Sequence, residues 1–152
     1  MAAANDDRLP TAGRLADGGH VLALRVYYED TDTSGFVYYA NYLKYIERGR
    51  TDFLRLAGVD HPALRRAHGL ALAVKSCEIE YLSPALLDDR IEVHTRLTEL
   101  RGASMRADQR VRRGGRELAR ARVRIACIDG DGRAARLPRA VRDRLERFVV
   151  SK

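Results

Sequence analysis

The stretch from Arg25 to Asp52 reads R-V-Y-Y-E-D-T-D-T-S-G-F-V-Y-Y-A-N-Y-L-K-Y-I-E-R-G-R-T-D, and its reading decides the fold. It joins a β-like run, Leu22 to Tyr28, to a long apolar helix through a turn that carries two carboxylates and a glycine. An acid just before a helix stands beside backbone N–H groups that have no intrahelical acceptor. That arrangement suits chemistry at a carbonyl. The donors hold a developing oxyanion while the carboxylate acts as base or nucleophile.

Downstream of the turn, the helix is predicted to begin between Val37 and Asn41 and to end near Ala57, with Gly58 as its cap. Tyr42, Leu43, Tyr45, Ile46, Phe53, Leu54 and Leu56 spread apolar character over more than one face, as expected of a helix wrapped by a sheet. Gly49 in its middle costs about 1 kcal/mol against alanine. Close helix–sheet approach would compensate. A short helical turn from His61 to His68 follows.

Four runs then alternate with period two. Lys75, Cys77, Ile79 and Tyr81 form one set, and Ile91, Val93, Thr95 and Leu97 the next. Met105, Ala107, Gln109 and Val111 form a third. Ala119, Ala121, Val123, Ile125 and Cys127 form the fourth, with Arg120, Arg122 and Arg124 pointing the other way. Arg113-Gly114-Gly115 reads as a hairpin turn, Asp129-Gly130-Asp131-Gly132 ends the last strand, and Pro138 opens a final helix. One long helix followed by sequential strands predicts an α+β architecture with an antiparallel sheet.

The segment from Arg25 to Asp52 resembles the acyl-CoA thioesterases of the hotdog fold. So do Cys77-Glu78-Ile79-Glu80-Tyr81-Leu82-Ser83-Pro84-Ala85, Leu87-Asp88-Asp89 and Arg101-Gly102-Ala103-Ser104. The resemblance, over roughly Leu24 to Pro138, is to the 4-hydroxybenzoyl-CoA thioesterase family, and most to its Tol-Pal-associated branch. It implies a curled antiparallel sheet around one long helix, and hydrolysis of an acyl-CoA or acyl-carrier-protein thioester without a metal or redox cofactor. It also implies a homo-oligomer, dimer or tetramer. An exposed strand edge asks for such cover in any case.

By the same resemblance, Asp32 is the catalytic carboxylate, as nucleophile or general base, and Asp30 supports the turn. Gly35 offers backbone angles or a close approach closed to other residues. Tyr38 is expected to contribute its backbone N–H at the helix start. Tyr39 stands where the Tol-Pal branch commonly has histidine, and a neutral phenol is a poor acid or base near pH 7. Glu47 is expected either to be buried and hold a water or a turn, or to pair on the helix surface with Lys44, Arg48 or Arg50. Arg101, Gly102 and Ser104 are the candidates for the coenzyme A moiety of the substrate.

Composition bounds the alternatives. With 152 residues, 45% of them hydrophobic, the chain fits one domain with an ordinary core. Residues 1–19 lack periodicity and are expected to be a disordered tail before a single domain over 20–152. The net charge of +7 is nearly all arginine, the lysines being Lys44, Lys75 and Lys152. Charge alone attracts nucleic acid, anionic lipid or the phosphates of coenzyme A. Nucleic-acid-reading motifs are missing, however, and no partner of that kind is expected. Cys77 and Cys127 match no metal-ligand spacing and read as small core residues suited to a reducing cytoplasm. No stretch is long enough for a membrane span, and the acidic first residues do not resemble a signal peptide. The four histidines form no catalytic constellation. A hotdog hydratase or dehydratase would share the fold but need a His–acid motif, and a non-catalytic acyl-thioester binding module is the other alternative.

Overall fold

The structure is a computed structural model that describes residues 13–16 and 18–150. Among the described residues six strands form one antiparallel sheet, and three α-helices accompany it. In chain order these are β1 (Arg14–Ala16), β2 (Gly19–Arg25), α1 (Asn41–Leu56), α2 (His61–His68) and β3 (Ala71–Tyr81). Then come β4 (Arg90–Leu100), β5 (Ser104–Arg113), β6 (Arg116–Ile128) and α3 (Arg139–Glu146). Across the sheet the order is β1-β2-β4-β5-β6-β3, so β1 and β3 are the edges. The sheet curls around α1: the hotdog architecture that the resemblance implied. Of the segment expected to be a disordered tail, residues 1–12 and 17 lie outside the described residues. Arg14–Ala16 form β1 and pair with β2.

Alternation explains the core. Ile91, Val93, Thr95 and Leu97 of β4 face α1 and are buried, as are Met105, Ala107, Gln109 and Val111 of β5 and the predicted set on β6. From α1, Tyr42, Tyr45, Ile46, Phe53 and Leu54 enter this layer. Each fully buried large side chain stabilises the fold by about 1.5–3 kcal/mol relative to exposure. Gly49 shows why the helix lies so close. A Cβ there would meet Val93 Cγ1 at 2.5 Å. On the side of α1 away from the sheet, Leu43 and Leu56 remain exposed.

On β3 the predicted set needs correction. A bulge between Val74 and Ser76 shifts the register, so Lys75 drops out of phase with Cys77, Ile79 and Tyr81. Cys127 is buried as expected, but Cys77 is exposed, because β3 has no neighbour on its outer side among the described residues. Among those residues no helix is long and apolar enough to cross a membrane.

Candidate active site

Between β2 and α1 the chain makes one 3-10 turn, Tyr28–Asp30, and then a tight hairpin bridged by Thr31 and Val37. Asp30 ties this segment together. Its Oδ2 accepts from the Tyr27 N–H at 2.9 Å, and its backbone O accepts from Tyr38 N at 2.9 Å and Asn41 Nδ2 at 2.8 Å. Asp30 therefore supports the turn, as its type commonly does. Asn41, the first residue of α1, reaches back from the helix to the same turn; nothing in the linear sequence singled it out.

Asp32 occupies the hairpin itself and is exposed. Its backbone N–H donates to Phe36 O at 2.8 Å, and its O accepts from Gly35 N at 3.1 Å. Ser34 donates twice to Oδ1, from its hydroxyl and from its backbone N–H, the latter at 2.8 Å. The Ser34 hydroxyl is the main cause holding the Asp32 pKa below its ordinary 3.8, so the carboxylate is ionised at neutral pH. Oδ2 has no internal donor among the described residues. Gly35 has φ +85°, and a Cβ there would meet nothing within 4 Å. The positive φ is a conformation that glycine adopts without strain.

The helix entry corrects one expectation. The Tyr38 N–H donates to Asp30 O and cannot also serve a substrate. The next two amides, Tyr39 and Ala40, have no internal acceptor among the described residues and stand as free donors just before α1, whose own first amides bond back to Tyr38, Tyr39 and Ala40 O. Above them lies an aromatic group: Tyr38 and Tyr39 have ring centroids 4.9 Å apart, and Tyr81 stands edge-on to Tyr39 at 6.1 Å. The Tyr81 hydroxyl donates to Tyr39 O at 3.0 Å. Buried Tyr42 accepts from Ala85 N at 2.9 Å, tying the β3–β4 loop to α1.

Other candidates lie elsewhere. Glu47 is exposed and accepts a hydrogen bond from the Thr51 hydroxyl one turn on. It is neither buried nor, among the described residues, ion-paired with Lys44, Arg48 or Arg50. Arg101 pairs with Glu99 at 3.0 Å, Gly102 lies under the Arg136 guanidinium, and Ser104 O accepts from Arg101 N at 2.7 Å. This hairpin follows the Leu100 end of β4, whereas Asp32 adjoins the loop before Arg90. Within one chain the two stand at opposite ends of the sheet. Arg112 pairs with Glu117 at 3.5 Å, and Arg113 pairs with Asp89. Among the described residues no group of His, Cys, Asp and Glu is placed to hold a metal ion.

One constellation escaped the sequence reading. His20, one of the four histidines read there as forming no constellation, is 1% exposed and bonds Asp52 Oδ2 through Nε2 at 2.7 Å. The same oxygen accepts from Gly13 N at 2.8 Å. His20 and Asp52 are 32 residues apart. Only the packing of β2 on α1 joins them.

Known proteins match this chain at both levels. The model of the thioesterase-like superfamily matches residues 26–145. The acyl-CoA thioesterase YbgC of Haemophilus influenzae is 41% identical over 115 residues, 76% of this chain and 85% of that protein. The acyl-CoA thioester hydrolase YbgC of Escherichia coli O6:H1 is 41% identical over 107 residues, 70% of this chain and 79% of that protein. A probable thioesterase from Bartonella henselae superposes with a TM-score of 0.74 at 38% identity, covering 79% of this chain and 99% of that one. Fold and relatives define a thioester hydrolase of the hotdog fold. The chain belongs to the thioesterase-like superfamily.

Proposed function

We propose that this protein hydrolyses acyl-CoA thioesters to the free acid and coenzyme A, with Asp32 as the carboxylate at the reacting carbonyl. One observation carries the reading. An ionised carboxylate, with no donor to Oδ2 among the described residues, stands on the hairpin that leads into α1 through the unpaired amides of Tyr39 and Ala40. The thioester oxygen lies against the Tyr39 and Ala40 N–H groups, which stabilise the charge it gains. Oδ2 attacks the carbonyl carbon, the C–S bond breaks, and the thiolate leaves with a proton from solvent. Water then hydrolyses the mixed anhydride and restores Asp32. Direct activation of water by Asp32 is the other route. Ser34 lowers the carboxylate's pKa, which weakens it as base and as nucleophile alike, so both routes stand.

Gly35 sets the hairpin, and the Tyr38 and Tyr39 rings wall the entrance. Glu47 takes no step in this scheme. Tyr39 in place of histidine removes any proton transfer the imidazole makes in the Tol-Pal branch, and a link to that envelope system rests on branch membership alone. The exposed edge of β3, with Val74, Tyr81 and Leu82 uncovered, is the proposed seam of a homodimer or tetramer. Antiparallel pairing there would bring Arg101, Gly102 and Ser104 of one copy toward the Asp32 of the other. The +7 charge keeps an acidic carrier protein as a second bearer of the thioester. The working compartment is the cytoplasm, in keeping with two free thiols.

The test is free-thiol release from short-chain, long-chain and aromatic acyl-CoAs by wild type and Asp32→Asn. Turnover that collapses in a folded variant supports the reading. Equal turnover removes Asp32 from the mechanism.

A further inference from the structure

Beside the Asp32 hairpin is a groove of about 430 Å³ lined by Tyr27, Tyr28, Glu29, Leu87 and Asp88. Two features stand out, one in this lining and one beside it on the β2–β4 pair. Tyr27 and Tyr28 are 62% and 82% exposed, although Asp30 and Thr31 fix the backbone that presents them. Uncovered aromatic rings on two successive residues offer faces for stacking. The second feature is a charge conflict. Arg25 and Arg90 are direct cross-strand partners on β2 and β4, a like-charge pairing that destabilises a sheet.

Little inside the chain relieves that conflict. Arg25 has no carboxylate within ion-pair distance among the described residues. Arg90 has only Glu92, at 3.7 Å. Arg25 Nη1 instead donates to Asp88 O at 2.9 Å, which pins its guanidinium at the rim of the groove. An anion between the two arginines would resolve the repulsion, since guanidinium groups match phosphate geometry.

We propose that this groove binds the adenine nucleotide portion of coenzyme A, a placement that rests on the acyl-CoA reading above. The adenine stacks on Tyr27 and Tyr28 against Leu87. Its exocyclic amine donates to the Glu29 or Asp88 carboxylate, and its phosphates lie at Arg25 and Arg90. The polarity fits the ligand: acceptors stand beside the base, and cations beyond them. Leu87 also links the groove to the reacting centre, because its N–H donates to Gly35 O at 3.2 Å. The nucleotide thus binds to the same copy that supplies Asp32, in place of the Arg101 hairpin.

Steady-state hydrolysis of one acyl group carried on coenzyme A and on pantetheine, which lacks the nucleotide, tests this. Wild type is compared with Arg25→Ala, Tyr28→Ala, Tyr28→Phe and Arg101→Ala. We expect wild-type KM to be lower for the coenzyme A ester by about tenfold. Arg25→Ala and Tyr28→Ala bring the two KM values together, whereas Tyr28→Phe keeps them apart. An undiminished gap in both alanine variants, or a gap lost only in Arg101→Ala, overturns the placement. Calorimetric titration with coenzyme A, adenosine 3′,5′-bisphosphate and ATP reads the groove without turnover. Coenzyme A binding that disappears in Arg25→Ala supports the groove even if no thioester is cleaved. Absent binding, or tighter binding of ATP than of the bisphosphate, overturns it.

Discussion

The two ends of α1 each hold an aspartate, and the two are treated in opposite ways. At the N-terminal end Asp32 is exposed on a hairpin, with one oxygen held by Ser34 and the other free. At the C-terminal end Asp52 is buried, with His20, Gly13 and Arg55 all donating to it. Asp52 makes the more conspicuous constellation, since a buried His–Asp pair looks like catalytic machinery. Yet every oxygen of Asp52 is committed, and solvent does not reach His20. A reacting carboxylate needs an unfilled bond; a structural one needs all of its bonds filled. On that criterion we propose Asp32 for the chemistry and Asp52 for the stability.

The sharpest way to break this contrast is to neutralise each acid. Asp32→Asn is expected to lower kcat by about 10²–10⁴ with an unchanged denaturant midpoint. Oxygen-18 appearing in the Asp32 carboxyl after a single turnover in labelled water would separate nucleophile from base. Asp52→Ala should do the reverse. Removing one partner of a buried pair costs about 3 kcal/mol, read by chemical denaturation, while turnover per folded molecule persists. A catalytic collapse at Asp52 with an intact fold would overturn the assignment.

Acid separates the two ends further. Burial, more than any charge, holds the His20 pKa below its ordinary 6.5, although Asp52 pulls it up and Arg14 pushes it down. Among the described residues His20 Nδ1 has no partner, so a proton there would be buried without an acceptor from them. The unfolded chain thus takes up this proton more readily than the folded one. Its contribution to stability is present above pH 6.5 and is lost as the pH falls below that value. The thermal midpoint should drop by a few degrees from pH 7 to pH 5, and more steeply than in His20→Phe. Equal slopes would exclude His20 as the cause.

The smallest effect belongs to Ser34. Because its hydroxyl lowers the Asp32 pKa, the acid limb of kcat/KM should lie below 3.8 in wild type. Ser34→Ala should move that limb up toward 3.8 and leave the rate at neutral pH nearly level. A pH–rate profile checks both statements.

Legibility followed the same division between local and distant. Asp32, its turn and the start of α1 are contiguous, so the carboxylate and its helix could be read together from the chain. The faces of β4, β5 and β6 were readable because their buried sets keep period two. On β3 the bulge at Lys75 reverses the phase, and strict alternation therefore misassigned that residue. The Tyr38 donor failed for another reason: the number of free amides at a helix entry depends on what the preceding turn accepts, here Asp30 O. His20 with Asp52, and Tyr28 with Leu87, meet only through tertiary packing. No spacing rule announces either pair.

Gly35 has a consequence of its own. Its backbone occupies the left-handed region while empty space surrounds the place of a side chain. Smallness is therefore not what the position requires. It selects a handedness: a D-amino acid introduced by chemical synthesis would fit there without strain, where its L enantiomer would not. The hairpin that presents Asp32 is thus tied by its backbone hydrogen bonds, and at one position it asks for a left-handed backbone that achiral glycine supplies and an L side chain would strain.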